Sequence, residues 1–192
     1  MTEHEQLVQL LATRSARRGQ FTLASGRQST LYIDARLTTM SPEGLVLIGT
    51  LGLARIRDQW TADSVGGLTL GADPISYAIS YASARTSAPL RAFTVRKEAK
   101  AYGAGKLIEG PFKPGDRTVI IEDVITTGNS ALKAISAIRD EGGSVVGVLA
   151  LVDRQEGGRE AIEATGIPVV SIVTAEDLLP LITPQQELRT GA

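Results

Sequence analysis

The run Val119–Ser130, VIIEDVITTGNS, constrains this chain more than any other stretch. Val119, Ile120, Ile121 and Val124 bracket Glu122 and Asp123, and a small-residue loop, Thr126-Thr127-Gly128-Asn129-Ser130, follows at once. A helical pattern begins directly behind it and stops at Gly142-Gly143. The unit is a strand, a tight turn and a helix. Such a strand delivers two carboxylates to its carboxyl end. The turn offers backbone N–H groups and hydroxyls at a helix start, where the dipole favours an anion. A sugar whose hydroxyls meet the carboxylates and whose phosphate meets the turn satisfies both halves, and ribose 5-phosphate has that shape.

The same alternation runs through the chain. Residues 3–15 carry Leu7, Leu10 and Leu11 at helical spacing. Residues 21–36 are β-like, broken by the turn signal Ser25-Gly26. Ser41-Pro42-Glu43 starts a helix running to about Arg57. A strand is expected over 64–69, a helix from Asp73-Pro74 (read here as its cap) to about Arg85, and a strand over 90–95. A loop over 96–110 leads to a strand over 117–123. Val145–Val152 is an almost uninterrupted apolar strand, the pattern of burial on both faces. A helix over 158–165, a strand over 169–173 and a helix opened by the capping-box-like Thr174–Asp177 complete the series. Strands alternating with helices imply an α/β fold with a doubly wound, mainly parallel sheet flanked by helices.

Composition excludes several classes. At 192 residues the chain is expected to form one domain and to bury roughly 70% of its unfolded surface. Net charge is −1, so no case exists for a nucleic-acid partner. No apolar run approaches the ~20 residues of a membrane span, and the polar start MTEHEQLVQLL lacks the form of a signal peptide, so a cytoplasmic enzyme is expected. There is no Cys, hence no disulfide, thiolate metal site or Cys nucleophile. Basic residues cluster locally at Arg96, Lys97, Lys100 and Lys106, which suits a small anionic ligand. The only histidine, His4, reads as a surface residue of the first helix.

At these residues the chain resembles a known family. VIIEDVITTGNS resembles the phosphoribosyl-pyrophosphate (PRPP) motif of the type I phosphoribosyltransferases. Phe21–Asp34, FTLASGRQSTLYID, and Val95–Gly110, VRKEAKAYGAGKLIEG, resemble the base-binding segment and mobile catalytic loop of the orotate-specific members, and Val65–Ile75 and Val152–Gly157 fit them too. The resemblance implies that fold, with a small N-terminal base-binding hood over residues about 1–40. It implies transfer of the 5-phosphoribosyl group from PRPP to orotate, with a PRPP site made of Arg96, Lys97, Lys100, Tyr102, Glu122, Asp123, Val124, Ile125, Thr126, Thr127, Gly128, Asn129 and Ser130.

Within that site Glu122 and Asp123 are implied to hold the ribose hydroxyls, and Thr126–Ser130 to cradle the 5-phosphate. Lys100 and Lys97 carry the catalytic weight against the leaving pyrophosphate, together with Asp123. Many members have His where this chain has Tyr102, which leaves Tyr102 a contact role. Arg154 matches the arginine that binds the orotate carboxylate, and a guanidinium fork suits that group. Thr126, Ser25, Gly26 and Tyr32 are the further base contacts, and Ala24 stands where some members have Lys. The turn near Leu70-Gly71-Ala72 is implied to lie against the pyrophosphate. Mg²⁺ is expected to arrive on PRPP, with Asp123 holding it directly or through water. The resemblance also implies a homodimer that shares the catalytic loop across its interface. Rival readings keep the fold but change the base, or make the chain a non-catalytic PRPP-binding regulator.

Overall fold

The computed structural model describes residues 1–22, 28–98 and 107–182. Helix α1 (Glu3–Leu10) starts at a capping box made by Thr2 and Glu5 and runs into a π-helical turn, Leu11–Ser15. Strands β1 (Ala16–Thr22) and β2 (Gln28–Ile33) form an antiparallel hairpin, a two-stranded sheet of their own. A one-turn helix, α2 (Arg36–Thr39), precedes α3 (Pro42–Gln59), which begins as expected, with Pro42 at its start and the Ser41 hydroxyl accepting the Gly44 N–H.

The main sheet holds β3 (Ser64–Leu68), β4 (Arg91–Val95), β5 (Ile108–Glu109), β6 (Arg117–Ile125), β7 (Ser144–Asp153) and β8 (Val169–Thr174). Its order is β5-β4-β3-β6-β7-β8, all parallel except the β4–β5 pair. Between the strands lie α4 (Ala72–Ser83), α5 (Asn129–Asp140) and α6 (Gly158–Glu163), and the four-residue α7 (Ala175–Leu178) follows β8. The doubly wound α/β expectation therefore holds. The two-residue β5 falls inside the expected 96–110 loop, because two residues carry no periodicity to read.

Both sheet faces are covered. Leu149 and Leu151 of β7 join the core that α1, α3 and α4 close, whereas Val148 and Ala150 join the core under α5 and α6. On β6, Val119 and Ile121 face the first core and Ile120 the second. This explains the unbroken apolar runs: a strand buried on both faces has no polar side to alternate with. The hairpin packs through Ala16 and Leu31 on Ala175 and Ile182, near the far edge of the sheet.

Candidate active site

Strand order reverses between β3 and β6. Helices there wind to opposite faces, and a crevice opens at the strands' carboxyl ends, where ligands of such folds bind. Four segments meet at that end: the turn after β3, residues 96–98 after β4, the end of β6 with its turn into α5, and residues 153–156 after β7.

The two acids of β6 divide. Successive residues of a strand face opposite sides. Glu122 is buried and lines a cavity of about 50 Å³ with Val124 and the turn residues Thr126–Ser130. Burial pushes its carboxyl well above the usual carboxylate range, reinforced by the nearby charge of Asp123. Asp123 is half-buried and looks toward the turn after β3. One of its oxygens accepts the Val124 N–H at 2.8 Å. A methyl group built on Gly71 would lie 2.3 Å from its Oδ2, so only glycine admits that approach. The Thr69–Leu70 peptide of this turn is cis.

The turn into α5 has the features an anion needs. Gly128 occupies the N-cap position at φ +78°, left-handed backbone that suits glycine. No side chain caps the helix, and its first residues, Asn129 and Ser130, line the cavity together with Glu122 and the turn, which leaves the helix start available to an anion there.

Arg154 is held on the other side. Its N–H donates to the Ile125 carbonyl at 3.1 Å, which brings the end of β7 beside Thr126. Its side chain is only 4% exposed. The two N–H groups of Nη2 are shared among three acceptors, the Ser29 hydroxyl at 2.5 Å, the Leu31 carbonyl at 2.7 Å and Glu156 Oε1 at 2.7 Å. Nε is buried without a partner. One guanidinium thus fastens hairpin strand β2 to the end of β7 and still has donors to give. Glu156 and Ser29 were not among the expected site residues. Glu156 was legible as the acid two positions past the arginine. Ser29 lies 125 residues from it and left no such signal.

After β4, the Arg96 N–H donates to the Leu107 carbonyl, and its guanidinium pairs with Glu109 at 3.5 Å. Lys97 is exposed. Lys100, Tyr102, Ser25, Gly26 and Ala24 lie outside the described residues. Asp73 departs from its expected part as a helix cap. Gly71 occupies the cap position, and the Asp73 carboxylate is turned to two threonines of neighbouring strand ends.

Among the described residues no cluster of three or more His, Cys, Asp or Glu side chains is placed to hold a metal ion. One accessible carboxylate, Asp123, beside an anion-binding turn fits a hard cation that takes most of its oxygens from a phosphate ligand and water.

No family model matches the chain. It is 47% identical over 182 residues to the orotate phosphoribosyltransferase of Aquifex aeolicus, covering 93% of this chain and 99% of that one. Among solved structures, Mycobacterium tuberculosis orotate phosphoribosyltransferase in complex with Fe(III) dicitrate superposes with a TM-score of 0.82 at 44% identity, over 93% of this chain and 99% of that one. The same enzyme in complex with PRPP gives 0.78 at 42% identity, over 92% and 99%.

Proposed function

The chain belongs to the orotate phosphoribosyltransferase family, and on that premise we propose how its residues move the 5-phosphoribosyl group from PRPP to orotate, the step of pyrimidine biosynthesis that yields orotidine 5′-monophosphate and pyrophosphate. The observation that carries the assignment is the split of the two acids of β6, one beside an uncapped helix start and the other against a glycine turn.

In this reading Thr126–Ser130, with the α5 N–H groups, hold the 5-phosphate. Glu122, Asp123, Val124 and Ile125 carry the ribose, the two acids on its hydroxyls. The ribose becomes cation-like as its bond to pyrophosphate lengthens, and the negative charge of Asp123 helps most because that cationic charge develops only in the transition state. The turn 69–71 and the cations Arg96, Lys97 and Lys100, with Tyr102, receive the pyrophosphate. Lys100 and Lys97 neutralise it as it leaves. Orotate is already an anion, so no strong general base is needed. Its carboxylate is assigned to the remaining donors of Arg154, with Thr126, Ser25 and Gly26 as further base contacts. The unpartnered, buried Nε supports this assignment.

Mg²⁺ bound to the diphosphate would supply neutralisation of the leaving group, with Asp123 as the protein carboxylate that holds it, directly or through water. We also assign the hairpin to a base-binding hood within a single domain spanning 1–192. A homodimer is supported by an apolar face of α3 and α4, where Val46 is 67% and Tyr81 85% exposed beside a groove of about 690 Å³. The loop shared across that interface lies outside the described residues. No helix among the described residues is long and apolar enough to cross a membrane. A cytoplasmic setting without nucleic-acid partners is proposed, in keeping with the net charge of −1.

The test is orotate consumption followed by ultraviolet absorbance, with PRPP and Mg²⁺ present and then each omitted. Loss of absorbance that needs both is expected. Turnover without Mg²⁺ would remove the metal assignment, and turnover of another base in place of orotate would remove the role of Arg154.

A further inference from the structure

The Asp73 carboxylate has no place in the chemistry assigned above, yet it is buried, at 8% exposure, and both of its oxygens are engaged. Oδ2 accepts the Thr69 hydroxyl at 2.7 Å, and Oδ1 accepts the Thr94 hydroxyl at 2.8 Å. Thr69 directly follows β3 and opens the turn that runs through Leu70 and Gly71 to Asp123. Thr94 lies in the last turn of strand before Arg96 and Lys97. The Thr94 proton is committed to Asp73, so the contact of 2.8 Å between Thr94 and Tyr77 has Tyr77 as its donor. The result is a directed chain in which Tyr77 donates to Thr94, and Thr94 and Thr69 both donate to Asp73. A backbone bond from the Thr69 N–H to the Val95 carbonyl, 2.8 Å, runs alongside.

We infer that Asp73 is a positioning residue for the diphosphate of PRPP: its carboxylate clamps the turn after β3 to the root of the Arg96–Lys97 segment, so that both meet the diphosphate at one fixed spacing. The inference rests on the assignment of the diphosphate to those two segments. The sign of the effect separates this role from a simple charge. A bare carboxylate near a diphosphate repels it, so removing the charge alone would tighten PRPP binding. Losing the clamp weakens it, because Asn can accept from one threonine but presents an amide donor to the other.

The experiment titrates wild type, Asp73→Asn and Thr94→Val by calorimetry with PRPP, pyrophosphate and orotidine 5′-monophosphate, all with Mg²⁺. Orotidine 5′-monophosphate has the 5-phosphate, ribose and base but no diphosphate, so it reads general damage to the site. Asp73→Asn is expected to weaken PRPP and pyrophosphate about tenfold and orotidine 5′-monophosphate less than twofold. Thr94→Val should move the same two ligands in the same direction by about threefold, and it carries the test if Asp73→Asn fails to fold. Unchanged or tighter pyrophosphate binding overturns the inference, as does an equal loss for all three ligands. A wild-type chain that binds orotidine 5′-monophosphate but not pyrophosphate would instead refute the diphosphate assignment beneath it.

Discussion

Gly71 and Asp123, from different strand ends, approach so closely that a single methyl group on Gly71 would come within 2.3 Å of the Asp123 carboxylate. That contact is with the end of a short side chain, not with backbone, so the carboxylate yields before the fold does. Gly71→Ala is therefore expected to lower kcat/KM for PRPP at least tenfold, the order of losing one charged contact in the transition state. Its melting temperature should drop by no more than about 4 °C, the equivalent of ~1 kcal/mol in a chain of this size. Steady-state kinetics and a thermal scan on the same sample check both. A large fall in melting temperature with little change in kcat/KM would count against the assignment of Asp123.

Arg154 serves two masters. Its Nη2 is saturated by Ser29, Leu31 and Glu156, while its Nε has no partner. Arg154→Ala should raise the KM for orotate by about 10²-fold, the loss of a charge-assisted pair, and shift the KM for PRPP far less. Because it also leaves Glu156 without its cation, the variant should melt several degrees lower. Equal changes in both KM values would contradict the orotate assignment.

Asp63 and Arg117 join the amino ends of β3 and β6. Asp63 accepts the Arg117 backbone N–H at 2.9 Å and its guanidinium at 3.0 Å through each oxygen. The guanidinium hydrogen bond, foremost, holds the Asp63 carboxyl down to about 2, from an ordinary 3.8. A group depressed on folding contributes its stability above its unfolded value, and that contribution is lost as pH falls through the folded one. Stability should therefore decline between about pH 4 and pH 2, and Asp63→Asn should flatten that part of the curve while lowering stability at pH 7. The pair is partly exposed, so salt should shrink the difference. Urea melts across that range measure it, and parallel curves for the two proteins would rule the contribution out.

Val46 sits in the middle of the apolar face of α3 and is 67% exposed. A buried carboxylate at a subunit interface costs several kcal/mol, so Val46→Asp should turn a dimer into a monomer at micromolar concentration. Sedimentation velocity reads this directly. Identical sedimentation of the two proteins would remove this face from the interface.

Much of the architecture was legible because its signals are local. The glycine pair after α5, the Ser41-Pro42 start of α3 and the Thr174–Asp177 box each write their punctuation into adjacent residues. The turn into α5 was legible for the same reason, being one continuous run. What escaped depends on residues far apart in sequence. Asp73 looked like a cap because Asp before Pro at a helix start usually is one, and only the register of β3 beside β4 brings Thr69 and Thr94 to its two oxygens. The opposite facing of Glu122 and Asp123 follows from strand alternation and was open to reading. Which face would be buried against the turn was not, since that depends on the neighbouring strands.

The fastening of the hairpin to Arg154 bears on how such a protein can change its appetite. A pocket that recognised a base without a carboxylate would have no use for the arginine, yet deleting it also unfastens β2 from β7. Redirecting this scaffold to a new base would therefore take at least a paired alteration, a different reader and a replacement tether for Ser29 and Leu31. Libraries that vary the position singly should return mostly unstable proteins rather than new specificities.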